Sequence, residues 1–182
     1  MKYIVKVVYI ICSLFFLMYL LLPNPDFPEK LPESIQSFEP ADIETAFRRG
    51  YYTDLIREEV MKYYLQQIKY VTPFGKYMPT YSLNYPPEEA QVLIRDQARS
   101  TFLEELVHPF RESFFINGFE PKLDKDKIFV SDKSWRQKII VRYAPSMAIF
   151  RVLAGLLIVS IIPIIYIEYK KVFTELLQVA KK

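Results

Sequence analysis

His108 and Cys12 are the only histidine and the only cysteine in the sequence, so the side chains most used for metal ligation and nucleophilic attack are nearly absent. His108 stands just before Pro109, at the end of a segment that reads as a helix, where an imidazolium would complement the helix dipole. Cys12 follows Ile10 and Ile11 within an apolar run, without the small residue that precedes a lipid-attachment cysteine, and a lone cysteine closes no intramolecular disulfide. The sequence contains no H-E-x-x-H, G-x-S-x-G or P-loop pattern and has only four glycines with which to cradle a phosphate. Three adjacent carboxylate pairs, Glu58-Glu59, Glu88-Glu89 and Glu104-Glu105, fall in segments that read as helical. Neighbours on a helix splay around its axis, whereas acids working on a glycosidic bond must face each other across a cleft. No catalytic, cofactor-binding or metal-binding residue is assigned, and the chain is read as non-enzymatic.

Tyrosine is the more informative bias. Tyr51, Tyr52, Tyr63, Tyr64, Tyr70, Tyr77, Tyr81 and Tyr85 lie within thirty-five residues. Such rings offer contact area at little side-chain entropy cost, for a protein partner or for sugar stacking. Arg48, Arg49, Tyr51 and Tyr52, around Gly50, combine cation and aromatic and form the candidate interaction surface.

The elements that carry these residues lie between two apolar runs, residues 7–22 and 152–167. A helix rises ~1.5 Å per residue against a ~30 Å hydrocarbon layer, so sixteen residues fall short. Extension to 3–22 and 147–167 suffices if Lys6 and Arg151 reach toward the headgroups. Tyr3, Tyr143, Tyr166 and Tyr169 suit the interfacial zones. The second run has nine Ile or Leu and no polar face, unlike a soluble core helix. The first lacks small residues at signal-cleavage positions, and reads as a retained signal anchor.

Lys2 and Lys6 precede the first run, whereas residues 24–47 carry six acids and only Lys30. Basic flanks stay cytoplasmic, so both termini are expected inside the cell membrane and the middle domain outside. The middle is near neutral, with 17 basic and 19 acidic residues over 24–146, which argues against a nucleic-acid partner. Lys133, Arg136, Lys138, Arg142 and Arg151 form a candidate membrane-proximal basic patch. Residues 24–47 sum to −5 and 121–146 to +4, so the two segments either meet or are separately solvated.

The division predicted is a cytoplasmic N-terminus over 1–6, a first span over 7–22, a proline-rich acidic strap over 23–43, an extracytoplasmic domain over 44–143, a second span over 147–167 and a short amphipathic tail over 168–182. The strap region has five prolines in the nineteen residues 22–40, which favours extended chain over a folded element. Within the domain the pattern predicts a helix over 53–71 capped by Thr53, a strand over 77–85, and a helix over 86–107. Strands follow at 112–117, 127–131 and 135–144, with Asn117-Gly118 as a turn and residues 131–134 as a hairpin connection. The fold class is therefore a membrane protein whose two transmembrane helices flank a small α+β domain, helices packed on a mostly antiparallel sheet.

Short ends, two spans and one external domain resemble the layout of bacterial chain-length regulators of polysaccharide export. Gly155 and Pro163 echo the glycine and proline of that family's second span, although no helix here matches its long external extensions. The resemblance is one of topology alone. The reading that follows is an anchored interaction or scaffold module of a cell-envelope assembly, with the lipid bilayer and envelope proteins as partners. An accessory of polysaccharide processing or export, touching glycan through tyrosines, and a sensor acting through a separate cytoplasmic effector are the alternatives.

Overall fold

A computed structural model describes residues 2–69, 78–89, 93 and 99–179. It divides into two compact units, residues 1–23 with 146–182, and residues 24–145.

The first unit is a pair of helices, α1 (Lys2–Leu21) and α3 (Ala148–Val179). Both are long and apolar enough to cross a membrane: within Tyr3–Leu21 and Ala148–Leu177, 18-residue windows have mean hydropathies of 2.4 and 2.5, and only 6% and 11% of those windows are buried. A core helix of a soluble protein would be mostly covered. α3 runs without a break through Pro163 and on into the tail. A proline has no N–H for the carbonyl four residues back, here Val159, and an unsatisfied carbonyl costs most in hydrocarbon. The hydroxyl of Tyr9 on α1 supplies the missing donor to the Val159 carbonyl. Close approach elsewhere in the pair depends on Gly155, where an added Cβ would lie 2.4 Å from Leu20 and 3.3 Å from Leu17.

The second unit is built on one six-stranded antiparallel sheet, β1 (Ile35–Ser37), β2 (Arg48–Thr53), β3 (Tyr81–Tyr85), β4 (Phe102–Val107), β5 (Ser113–Phe119) and β8 (Gln137–Ala144), in the order β1-β2-β8-β5-β4-β3. β6 (Ile128–Val130) and β7 (Lys133–Trp135) make a separate hairpin, closed by Ser131 and Asp132, both at positive φ. α2 (Arg57–Ile68) covers one face of the sheet. Val60, Tyr64 and Ile68 from α2 meet Tyr51, Phe102, Leu106, Phe114, Ile116, Ile139, Val141 and Tyr143 in the main core. The other face buries a smaller pair, Leu103 and Ile140.

Several expectations change. Residues 102–107 are strand, not helix, and Pro87–Glu89 is a single 3-10 turn. Residues 90–92 and 94–98 of the predicted helix, and 70–77 across the next loop and predicted strand, lie outside the described residues. The run Phe-Leu-Glu-Glu-Leu-Val satisfies helical spacing, but in β4 its two acids face opposite sides and each finds a partner. Glu104 takes Arg57 at 2.6 Å and the Ser82 hydroxyl at 3.0 Å, while Glu105 accepts the Tyr85 hydroxyl at 2.5 Å. Asn117-Gly118 is no turn. It lies inside β5, where Gly118 leaves room for the Phe102 ring, 1.9 Å from where a Cβ would stand. Thr53 ends β2 instead of capping α2; the helix starts at Arg57, with the Ile56 N–H donated to Glu59 at 2.9 Å. Finally, the strap is not bare extended chain: it contains β1 and the start of a 3-10 turn, Pro40–Asp42.

Candidate functional site

β2 carries the four residues singled out as an interaction surface, and strand alternation divides them. Tyr51 packs into the core beneath α2, with Arg49 on the same side. Arg48 and Tyr52 point to the opposite face; Arg48, Tyr51 and Tyr52 are all buried. Burial pushes the Tyr51 hydroxyl above its ordinary pKa. The four therefore divide between two faces, and Arg49 lines a concave surface.

That surface is a recess of about 340 Å³ beside β1 and the start of β2. Phe38, Ile43 and Ala46 line it, with Gln36, Glu44 and Arg49 also on its wall. Phe38 is 76% exposed, Ile43 41% and the neighbouring Phe47 45%. The Arg49 guanidinium is fixed by donating to the carbonyls of Thr45 at 2.9 Å and Arg48 at 2.6 Å, and it lies 5.7 Å from the Phe27 ring centroid. Exposed aromatic and aliphatic groups around an oriented arginine are the composition of a protein-binding hot spot.

The recess is held in shape from the face of β2 that carries Tyr52. Between Phe38 and Ile43 the chain makes the Pro40–Asp42 turn, which lays the Asp42 carboxylate on Gly50; a Cβ at Gly50 would sit 2.7 Å from it. Glycine is required there for close approach rather than for its backbone freedom. Lys138, on neighbouring β8, bridges Asp42 at 2.6 Å and Glu39 at 2.9 Å. Glu39 also accepts the Tyr52 hydroxyl at 2.5 Å. The Tyr52 hydrogen bond and Lys138 hold the Glu39 carboxyl below the usual range. Burial acts to lower the Lys138 ammonium, but its two carboxylate partners outweigh that and raise it. The acidic 24–47 and basic 121–146 segments thus do meet, at Lys138.

The remaining basic residues each have partners of their own. Lys133 pairs with Asp54 at 2.6 Å and lies 3.9 Å from the Trp135 ring centroid; the Lys133 hydrogen bond, helped by the Arg136 N–H, lowers the Asp54 carboxyl. Arg136 pairs with Glu120 at 2.9 Å. Arg142 donates to the Leu93 carbonyl at 2.5 Å. Arg151 belongs to the helical unit, is buried, and donates to the Leu22 carbonyl at 3.0 Å, satisfying the C-terminal end of α1.

His108 is the clearest surprise. It does not end a helix but sits fully buried in the β4–β5 turn, a turn that holds Phe110 at φ 61°. Its Nδ1 is 2.7 Å from Glu112 Oε1, its Nε2 is 3.0 Å from Thr80 Oγ1, and Arg111 Nε donates to Glu112 Oε2 at 3.1 Å. Burial alone would raise the Glu112 carboxyl, yet hydrogen bonds from His108 and Arg111 and the guanidinium charge hold it low. A hydroxyl, an imidazole and a carboxylate in series have the order of a nucleophile relay. Here Arg111 already neutralises the carboxylate, and the imidazole is sealed inside the turn. The arrangement staples the β4–β5 hairpin to the segment leading into β3. No sequence spacing betrayed it, because Thr80 lies far away in sequence, just before β3. Among the described residues no group of three or more His, Cys, Asp or Glu could hold a metal ion.

Of the tyrosines, Tyr51, Tyr52 and Tyr64 are buried, while Tyr81 is exposed on edge strand β3. No protein-family model, curated protein or solved structure matches this chain.

Proposed function

We propose that this chain is a non-enzymatic interaction module of the cell envelope, anchored by α1 and α3, which receives a protein partner in the Phe38–Ile43 recess. The observation that carries this reading is the exposure of Phe38 and Ile43 on the wall of one concavity, with the chain between them tied down by the Lys138–Asp42 and Lys138–Glu39 pairs. Exposed apolar side chains clustered at one recess mark an interaction surface, and a preorganised recess loses little entropy when a partner enters it. In this reading Arg49 is a contact residue. Tyr52 and Lys138 are positioning residues, acting through Glu39 and Asp42. Anchoring at two points fixes the orientation of the recess, which suits a subunit of a larger assembly.

The test is photo-crosslinking in intact cells with a benzophenone amino acid at Phe38 or Ile43, and at Phe129 as an equally exposed site on the separate β6–β7 hairpin. The reading predicts a discrete protein adduct from positions 38 and 43 and none from 129. Phe38→Ala with Ile43→Ala should cut co-purification of that partner at least tenfold while the domain remains folded. Equal labelling from all three positions would contradict it.

A further inference from the structure

The helical unit contains a groove of about 470 Å³ between α1 and α3, walled by Val5, Ile10, Ile162, Pro163 and Ile167, with Lys6 and Tyr166 beside them. We propose that this groove seats one acyl chain of an anionic phospholipid, with the lipid phosphate at the Lys6 ammonium. The inference rests on reading α1 and α3 as membrane-spanning helices.

Three observations select this occupant. The first is shape. Contacts come from residues 5–10 of one helix and 162–167 of the other, so the groove runs only ~9 Å at ~1.5 Å per residue. A partner helix, or a second copy of this chain, would lie along several turns, whereas a short apolar slot suits the headgroup-proximal part of one acyl chain, whose remainder stays in the bilayer. The volume falls in the ~300–1,000 Å³ range of small-molecule sites. The second is charge. Lys6 is the one cationic residue in the lining, which is wholly apolar in surface, so Lys6 lines it with its aliphatic stem; the residue is exposed and no acidic residue shares the lining. That combination favours an anionic group at the mouth of the groove next to hydrocarbon, which is the chemistry of an acidic phospholipid.

The third is origin. The helices are drawn together at Gly155 and at Tyr9–Val159, and the groove opens past Tyr9 on the side of Pro163. The Tyr9 hydroxyl is engaged with the Val159 carbonyl, so its ring forms a fixed end wall. A fixed slot distinguishes one retained lipid from the general lipid that surrounds any span. Because hydrocarbon chains are equally at home in the bilayer, selection must come from the headgroup, and one lysine near the surface gives roughly a fivefold preference.

Native mass spectrometry of the full-length chain, released from nanodiscs of equimolar phosphatidylglycerol and phosphatidylcholine, tests this directly. One lipid should be retained per chain, phosphatidylglycerol over phosphatidylcholine by roughly fivefold. Lys6→Gln should bring the ratio close to one while the chain still retains a lipid. Ile162→Trp, which fills the slot, should reduce retention of both lipids. A ratio near one in the natural sequence, or a preference unchanged by Lys6→Gln, would overturn the proposal, as would a second copy of the chain occupying the groove. Alkaline carbonate extraction separates the two levels of failure. Release from the membrane removes the spanning reading and the lipid site together; retention without headgroup preference removes the lipid site alone.

Discussion

Tyr9 and Pro163 show how two residues far apart in sequence can only be understood as a pair. Pro163 strips Val159 of its helical donor, and Tyr9 replaces it from the neighbouring helix. Interhelical hydrogen bonds of this kind are worth about 0.6–2 kcal/mol in membranes. Tyr9→Phe should therefore weaken the helix pair by that amount. Pro163→Ala restores the backbone N–H, so Tyr9→Phe should cost almost nothing in that background. A double-mutant cycle on helix-pair unfolding in mixed micelles reads the coupling; additivity would refute the pairing. Glu112 makes the corresponding case in the sheet unit. Its folded carboxyl is held below the ordinary 4.5, as is that of Glu39. A lowered folded pKa contributes stability that is present above the unfolded value and is lost as pH falls through the folded one. The midpoint of denaturation, followed by the single, buried Trp135, should thus stay level down to about pH 4.5 and fall below it. Glu112→Gln strands Arg111 without its carboxylate, at about 3–5 kcal/mol, and should flatten the acid limb. An acid limb identical to that of the natural sequence would show that Glu112 does not contribute.

At the scale of elements, the β6–β7 hairpin offers the simplest check. Ser131 and Asp132 both adopt positive φ in a two-residue connection, a geometry that prefers Asn-Gly. Replacing the pair by Asn-Gly should stabilise the unit by about 0.5–1 kcal/mol, read as a shift in the same Trp135 midpoint; a loss would mean that the turn is held by side-chain contacts. The strand at 128–130 and a tight turn after it were legible in the sequence, but Lys133–Trp135, read as the end of the connection and the start of the next strand, is the return strand of a separate hairpin. The two apolar helices, α2 and the strands around residues 113–119 and 137–144 were legible too. Each has a period or a local turn signal that does not depend on distant chain. β2 and β4 were not legible. Arg-Arg-Gly-Tyr-Tyr-Thr gives no apolar alternation because both its faces are buried by partners from elsewhere, Asp42 on one side and α2 on the other. Phe-Leu-Glu-Glu-Leu-Val fits a helical period equally well, and only Arg57, Ser82 and Tyr85 decide otherwise. The recess was half visible: Arg49 belongs to it, but its apolar residues lie in a proline-rich stretch whose composition hides the turn that presents them.

Taken whole, the molecule joins a pair of helices suited to lipid with a compact antiparallel unit whose charged groups are mostly paired internally. Charge networks do different work in the two. In the sheet unit Lys138, Asp42 and Glu39 shape a surface, whereas in the helical unit Arg151 closes the end of α1. An envelope role requires the sheet unit to lie beyond the membrane and the tail to remain inside. Both positions are accessible to the same probe. With Cys12 replaced by serine, single cysteines at exposed Phe129 and at Glu175 can be labelled in intact cells by a membrane-impermeant maleimide. The account predicts that position 129 reacts at once and position 175 only after permeabilisation; the opposite pattern, with 175 labelled and 129 protected, would contradict it.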